Sequence, residues 1–95
     1  MKRIAVISII VEKLNSASVV NELLHEYSEL IVGRMGLPLK EYQTSVITVV
    51  CLGGNNDISA LSGKLGRIDG INVKVAYSAA SFPEEDENTK ENENE

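Results

Sequence analysis

The chain has 95 residues, 43% apolar and 24% charged, with one Cys, one His and no Trp. That length holds a single domain with one modest core. One Cys excludes an intrachain disulfide, no Cys/His cluster offers a closed zinc site, and the uncharged run Ile4 to Val11 is too short to cross a bilayer. Lys2 and Arg3 ahead of that run suggest a signal peptide, but no small-residue cleavage site follows and Glu12 and Lys13 end it. The protein is expected to be cytoplasmic, with no membrane contact.

The net charge of -5 is unevenly divided. Residues 1–79 hold eight bases and seven acids, about +1, whereas residues 80–95 hold seven acids against Lys90. Residues 1–79 are therefore read as the folded domain and residues 80–95 as a disordered acidic tail. So acidic and apolar-poor a segment cannot offset its ordering entropy by burial. Its role is either solubilising or a lure for a basic partner.

Lys2 to Glu12, dominated by Ile, Val and Ala, predicts the first strand. Asn15 and Ser16 offer a helix cap, and Val20, Leu23, Leu24 and Tyr27 then form one apolar helical stripe. Ser28 to Leu37 predicts a second strand, interrupted by Gly33 and Gly36 and closed by Pro38. The third strand is expected over Thr44 to Leu52. Gly53-Gly54-Asn55-Asn56-Asp57 supplies the turn before a second helix, which shows Ile58, Leu61 and Leu65 on one face and stops at Gly66 as a left-handed residue. Asp69-Gly70 is a turn, and Ile71 to Tyr77 alternates as the last strand. The order βαββαβ, with right-handed crossovers, gives an α+β ferredoxin-like sandwich: a four-stranded antiparallel sheet with both helices on one face.

In that topology the first and third strands are central, and neither alternates cleanly. Ala5, Ile7, Ile9 and Val11 are expected on one face, but the other carries Ile4, Val6 and Ile10 beside Val46, Val50 and Leu52. Six aliphatic side chains on an open sheet face exceed what a soluble monomer usually exposes. They are read as the interface of a homo-oligomer, a dimer or tetramer.

Catalytic chemistry is hard to find. His25 lies just past the helical stripe with Glu22 and Glu29 within a turn, yet no nucleophile signature accompanies it, and an exposed surface His is expected. Cys51 closes a core strand and is read as a small buried hydrophobe. A metal site from these two would need ligands shared between chains. Gly63-Lys64 is no phosphate loop, because Ile58 and Leu65 stand where that motif needs Gly and Ser or Thr. Gly63 is expected to let the helix approach the sheet. No catalytic residue, metal or cofactor is therefore assigned. Two stretches remain as ligand-binding candidates: Gly33, Arg34, Met35 and Gly36, where a charge sits among glycines, and Gly53, Gly54, Asn55 and Asn56, whose N–H groups invite an anion.

Arg3 to Val11, Leu24 to Tyr27, Ile31-Val-Gly-Arg-Met-Gly36, Ile58-Ser-Ala-Leu-Ser-Gly-Lys-Leu-Gly-Arg67, Gly70 to Lys74 and Ala76 to Ser78 together resemble the iron-only hydrogenase system regulator family. The resemblance covers about residues 3–78 and leaves the acidic tail outside. It implies a small regulator that accompanies the maturation genes of [FeFe]-hydrogenase. It also implies a fold like that of ACT domains and of the ligand-binding half of the nickel-responsive regulator. That regulator adds a ribbon–helix–helix half and a nickel site of several His and a Cys. Here no such half is expected ahead of Met1, and one His and one Cys are too few.

The expected function is that of a small oligomeric regulatory or sensor protein, a transcriptional regulator by family resemblance, acting on a small molecule or a protein partner. A small enzyme with its site at a subunit interface, or a metal sensor with shared ligands, is the alternative. Direct nucleic-acid binding is not expected, because the eight bases are scattered among seven acids and aromatic residues are few.

Overall fold

The computed structural model describes residues 1–84. Six elements follow in order: β1 (Arg3–Val11), α1 (Ala17–Glu26), β2 (Ile31–Leu39), β3 (Thr44–Gly53), α2 (Asn55–Gly66) and β4 (Ile71–Tyr77). The strands form one antiparallel sheet in the order β2-β3-β1-β4, with both helices on one side. This is the ferredoxin-like sandwich that the sequence predicts.

The core is the layer between sheet and helices. Ala5, Ile7, Ile9 and Val11 of β1 and Ile47, Val49 and Cys51 of β3 meet Val20 and Leu24 of α1 and Ile58, Leu61 and Leu65 of α2. Every one of these positions lies on a face that periodicity marks as apolar. Leu23 and Tyr27 of the α1 stripe pack at its margin.

Local details depart from the sequence reading. Pro38 does not close β2 but lies inside it, paired with Ser45. β2 is an edge strand, and an edge tolerates a residue without an N–H. Residues 28–30 form a short turn of 3-10 helix instead of strand. Gly66 ends α2 without turning left-handed, because Arg67 and Ile68 donate to Lys64 and Leu65 and tighten the last turn. The left-handed glycine is Gly70, at φ 79°. Ser16 stands at the start of α1 but makes no capping bond. Gly63 is exposed, and a side chain there would meet nothing within 4 Å. The tight approach belongs to Gly53, which Leu30 covers so closely that a Cβ would collide with it.

Backbone pairing continues past residue 79. Ser78 donates its N–H to the Ile4 carbonyl at 2.8 Å, and Lys2 and Phe82 exchange two backbone hydrogen bonds of 2.6 and 2.7 Å. The chain thus follows the amino end of β1 as far as Phe82. The rest of the predicted tail, residues 85–95, lies outside the described residues.

Candidate functional site

Three surfaces collect the residues that the sequence singles out. The first is the sheet face away from the helices. Cross-strand pairing sets Ile4 opposite Leu52, Val6 opposite Val50 and Ile10 opposite Val46, so all six predicted interface residues share that face. Sequence reasoning misses its extension onto β2. Leu37 pairs with Val46 and Met35 with Thr48, and both are more than half exposed, as is Val32 at the β-bulge. The missed signal is the Met35/Leu37 alternation, hidden by the glycines between and before them. On β4 the same face turns polar, with Asn72 opposite Ile10 and Lys74 opposite Ser8.

At one end of this face a recess of about 440 Å³ opens between Ile4, Val32, Val50 and Leu52 of the sheet and Phe82 and Pro83 of the segment after β4. Its lining is chiefly apolar, with Lys2 at the rim.

The second surface lies over the start of α2. Gly54 is the residue before the helix, with its carbonyl taking the Ile58 N–H at 3.1 Å. A cavity of about 370 Å³ there is bordered by Glu26, Glu29, Asp57 and Glu84 against Lys2 alone. An anion drawn to the start of α2 beside Gly53 and Gly54 therefore meets four carboxylates and one ammonium. The charge of the surroundings opposes the pull of the helix end.

The third surface is the groove between α1 and β2. The strand pleat splits the predicted Gly33–Gly36 cluster: Gly33 and Met35 face the open side, whereas Arg34 and Gly36 face the helices. Arg34 donates from Nη2 to Asn21 Oδ1 of α1 at 2.7 Å. The groove beside this pair measures about 230 Å³ and is floored by Gly36, Ile47 and Ala17. The structure keeps the two predicted ligand stretches apart, each with its own cavity.

The two candidate metal ligands are also separated. His25 is exposed on α1, while Cys51 is fully buried in β3 and burial raises its thiol above the ordinary pKa. Among the described residues no three His, Cys, Asp or Glu side chains gather as a metal site.

Comparison with known proteins agrees with this architecture. The solved structure titled "The structure of uncharacterized protein TM1266 from Thermotoga maritima." superposes with a TM-score of 0.77 at 44% sequence identity, covering 81% of this chain and 98% of that one. No curated protein matches the chain. Residues 3–75 match the family described as "TM1266-like: Iron-only hydrogenase system regulator, putative", and they include both central strands, both helices and the Arg34 segment. With nearly the whole sandwich inside that match, the chain belongs to the TM1266-like family.

Proposed function

We propose that this protein is a regulatory component of an iron-only hydrogenase system, assembled as a homo-oligomer through the open face of its sheet and responsive to a small ligand or a protein partner. The observation that carries the reading is the largely apolar face of β1, β3 and β2, interrupted at its centre by the Ser8–Thr48 pair. Four strands about 4.8 Å apart, each rising about 3.3 Å per residue, span roughly 20 Å by 30 Å, with β4 as the polar margin of the face. Two copies face to face then bury on the order of 1,200 Å², within the range of specific interfaces. The family description supplies the regulatory context.

A role without catalysis of its own is supported by the placement of the reactive groups. The Cys51 thiol is inaccessible and held protonated, and His25 stands on the outer side of α1. Cytoplasmic action is part of the same reading; no helix among the described residues is long and apolar enough to cross a membrane. The scattered Lys and Arg side chains favour control through a ligand or partner over direct contact with duplex DNA.

Light scattering at high micromolar concentration tests assembly. The wild type is expected to run as a dimer or tetramer, and Val6→Asp or Val50→Asp to shift it to monomer with the fold intact by circular dichroism. A wild type that is monomeric throughout ends the assembly reading. The regulatory reading is tested separately, by deleting the gene in a hydrogenase-producing host; unchanged hydrogenase output overturns it.

A further inference from the structure

We propose that the groove between α1 and β2 binds a small organic carboxylate, with the guanidinium of Arg34 and the amide of Asn21 as its recognition pair. Arg34 is the only charged residue on β2 and sits on its helix side, opposite Val49. Its contact with Asn21 decides the character of the site. The Asn21 carbonyl oxygen is turned toward the guanidinium and accepts from Arg34 Nη2 at 2.7 Å. The pair then presents chiefly donors around one positive charge, the remaining guanidinium N–H groups and the Asn21 NH₂, with the Ser45 hydroxyl of the groove wall able to donate or accept. Such a surface favours an anion, and the fork of a guanidinium matches the two oxygens of a carboxylate.

The charge is also available. The salt bridge found among the described residues joins Lys13 and Asp69, so Arg34 has no carboxylate within ion-pair distance there. The space is available too, because the helices leave β2 uncovered. A side chain at Gly36 would meet nothing within 4 Å, and that opening forms the groove beside the guanidinium. Ala17, Ile47 and Pro38 add apolar contact for the body of an organic ligand. About 230 Å³ suits a small acid and is too little for a nucleotide. The position differs from the cavity over α2, where an anion meets four carboxylates. Binding here gives the proposed regulator its ligand class; Arg34, Gly36 and Asn21 lie on the helix side of the sheet, and Leu37 is the lining residue that turns to the proposed assembly face.

The experiment is a titration of the full chain with succinate at constant ionic strength, followed by the amide and Arg side-chain signals of a ¹⁵N spectrum. Saturable shifts are expected at Arg34, Gly36 and Asn21, with a dissociation constant on the order of 1 mM, as an open site with few hydrogen bonds allows. Arg34→Gln should abolish them while the rest of its spectrum stays in place, and Gly36→Leu should block them by filling the groove with Arg34 still present. Shifts that never saturate, or that persist in Arg34→Gln, overturn the site. Phosphate saturating at lower concentration than succinate overturns the carboxylate assignment. Binding seen only in a chain ended at Glu84 overturns the assignment of a free small acid as the occupant, since the chain's own carboxylates would then compete for the groove.

Discussion

The hydroxyl of Ser16 donates to the backbone carbonyl of Asp69 at 2.7 Å, tying the start of α1 to the turn that leads into β4. Around it, the Glu12 N–H reaches the Gly70 carbonyl at 2.8 Å and Lys13 pairs with the Asp69 carboxylate. Residues more than fifty positions apart are thus stitched at one corner of the sandwich.

Ser16→Ala is expected to lower stability by about 1 kcal/mol, since a nearly buried hydroxyl leaves the Asp69 carbonyl without its partner. Urea denaturation followed by circular dichroism measures it, with the slope unchanged. A Ser16→Thr variant should recover much of the loss.

The Lys13–Asp69 pair makes a smaller, pH-dependent contribution. The hydrogen bond from Lys13, then its positive charge, holds the Asp69 carboxyl below its ordinary pKa. Its stabilisation is therefore complete above the ordinary carboxylate value and lost as pH falls through the depressed one. Both groups are exposed, so the effect is small and screened by salt. Wild type and Asp69→Asn should differ slightly in urea midpoint at neutral pH and converge in acid.

Gly70→Ala should cost about 1–3 kcal/mol. Position 70 has φ 79°, and an added Cβ would lie 2.6 Å from Lys13 Cγ. Thermal melts compare Gly70→Ala with wild type and Gly70→Ala/Lys13→Ala with Lys13→Ala. The second pair should differ less, by the part of the steric cost due to Lys13 Cγ and Cδ, while the backbone strain and the contact with Lys13 Cβ at 2.8 Å remain.

Cys51 should resist thiol reagents in the native protein and react at the rate of global unfolding. It is fully buried, and desolvation keeps its thiol protonated. Labelling followed by mass spectrometry across a urea series reads this directly. Rapid labelling without urea would show a local opening of β3.

Two truncations should differ. Ending the chain at Glu84 removes residues with no apolar side chain, and the melting temperature should hold. Ending it at Ala79 removes Phe82 and both of its bonds to Lys2, and should lower the melt by a few degrees.

The architecture was legible in the sequence because periodicity reports which face is buried. Val20 and Leu24, or Ile58, Leu61 and Leu65, declare their helix faces without any knowledge of partners. What periodicity cannot convey is what crosses between elements. The Arg34–Asn21 bond depends on α1 lying beside an edge strand it does not cover, and Gly36 matters only as the space next to it. Gly33 to Gly36 are one run in the sequence, yet the pleat sends alternate members to opposite faces. The acids over α2 come from three separate segments, so the charge opposing an anion there was invisible until folding gathered Glu26, Glu29, Asp57 and Glu84.

The central position of β1 has a consequence for synthesis. It pairs with β3 on one side and β4 on the other, so the first strand made is among the last to be completed. Its partner Ile71–Tyr77 is the last of the four strands to emerge. Until Thr44–Gly53 emerges, Ile4, Val6, Ile7, Ile9 and Ile10 form an aliphatic segment with both hydrogen-bonding edges open, and until Ile71–Tyr77 follows one edge stays open. This is the kind of stretch that pairs with copies of itself. The nascent domain is accordingly most prone to aggregation through β1, and co-expressed chaperones that bind extended aliphatic segments should raise its soluble yield.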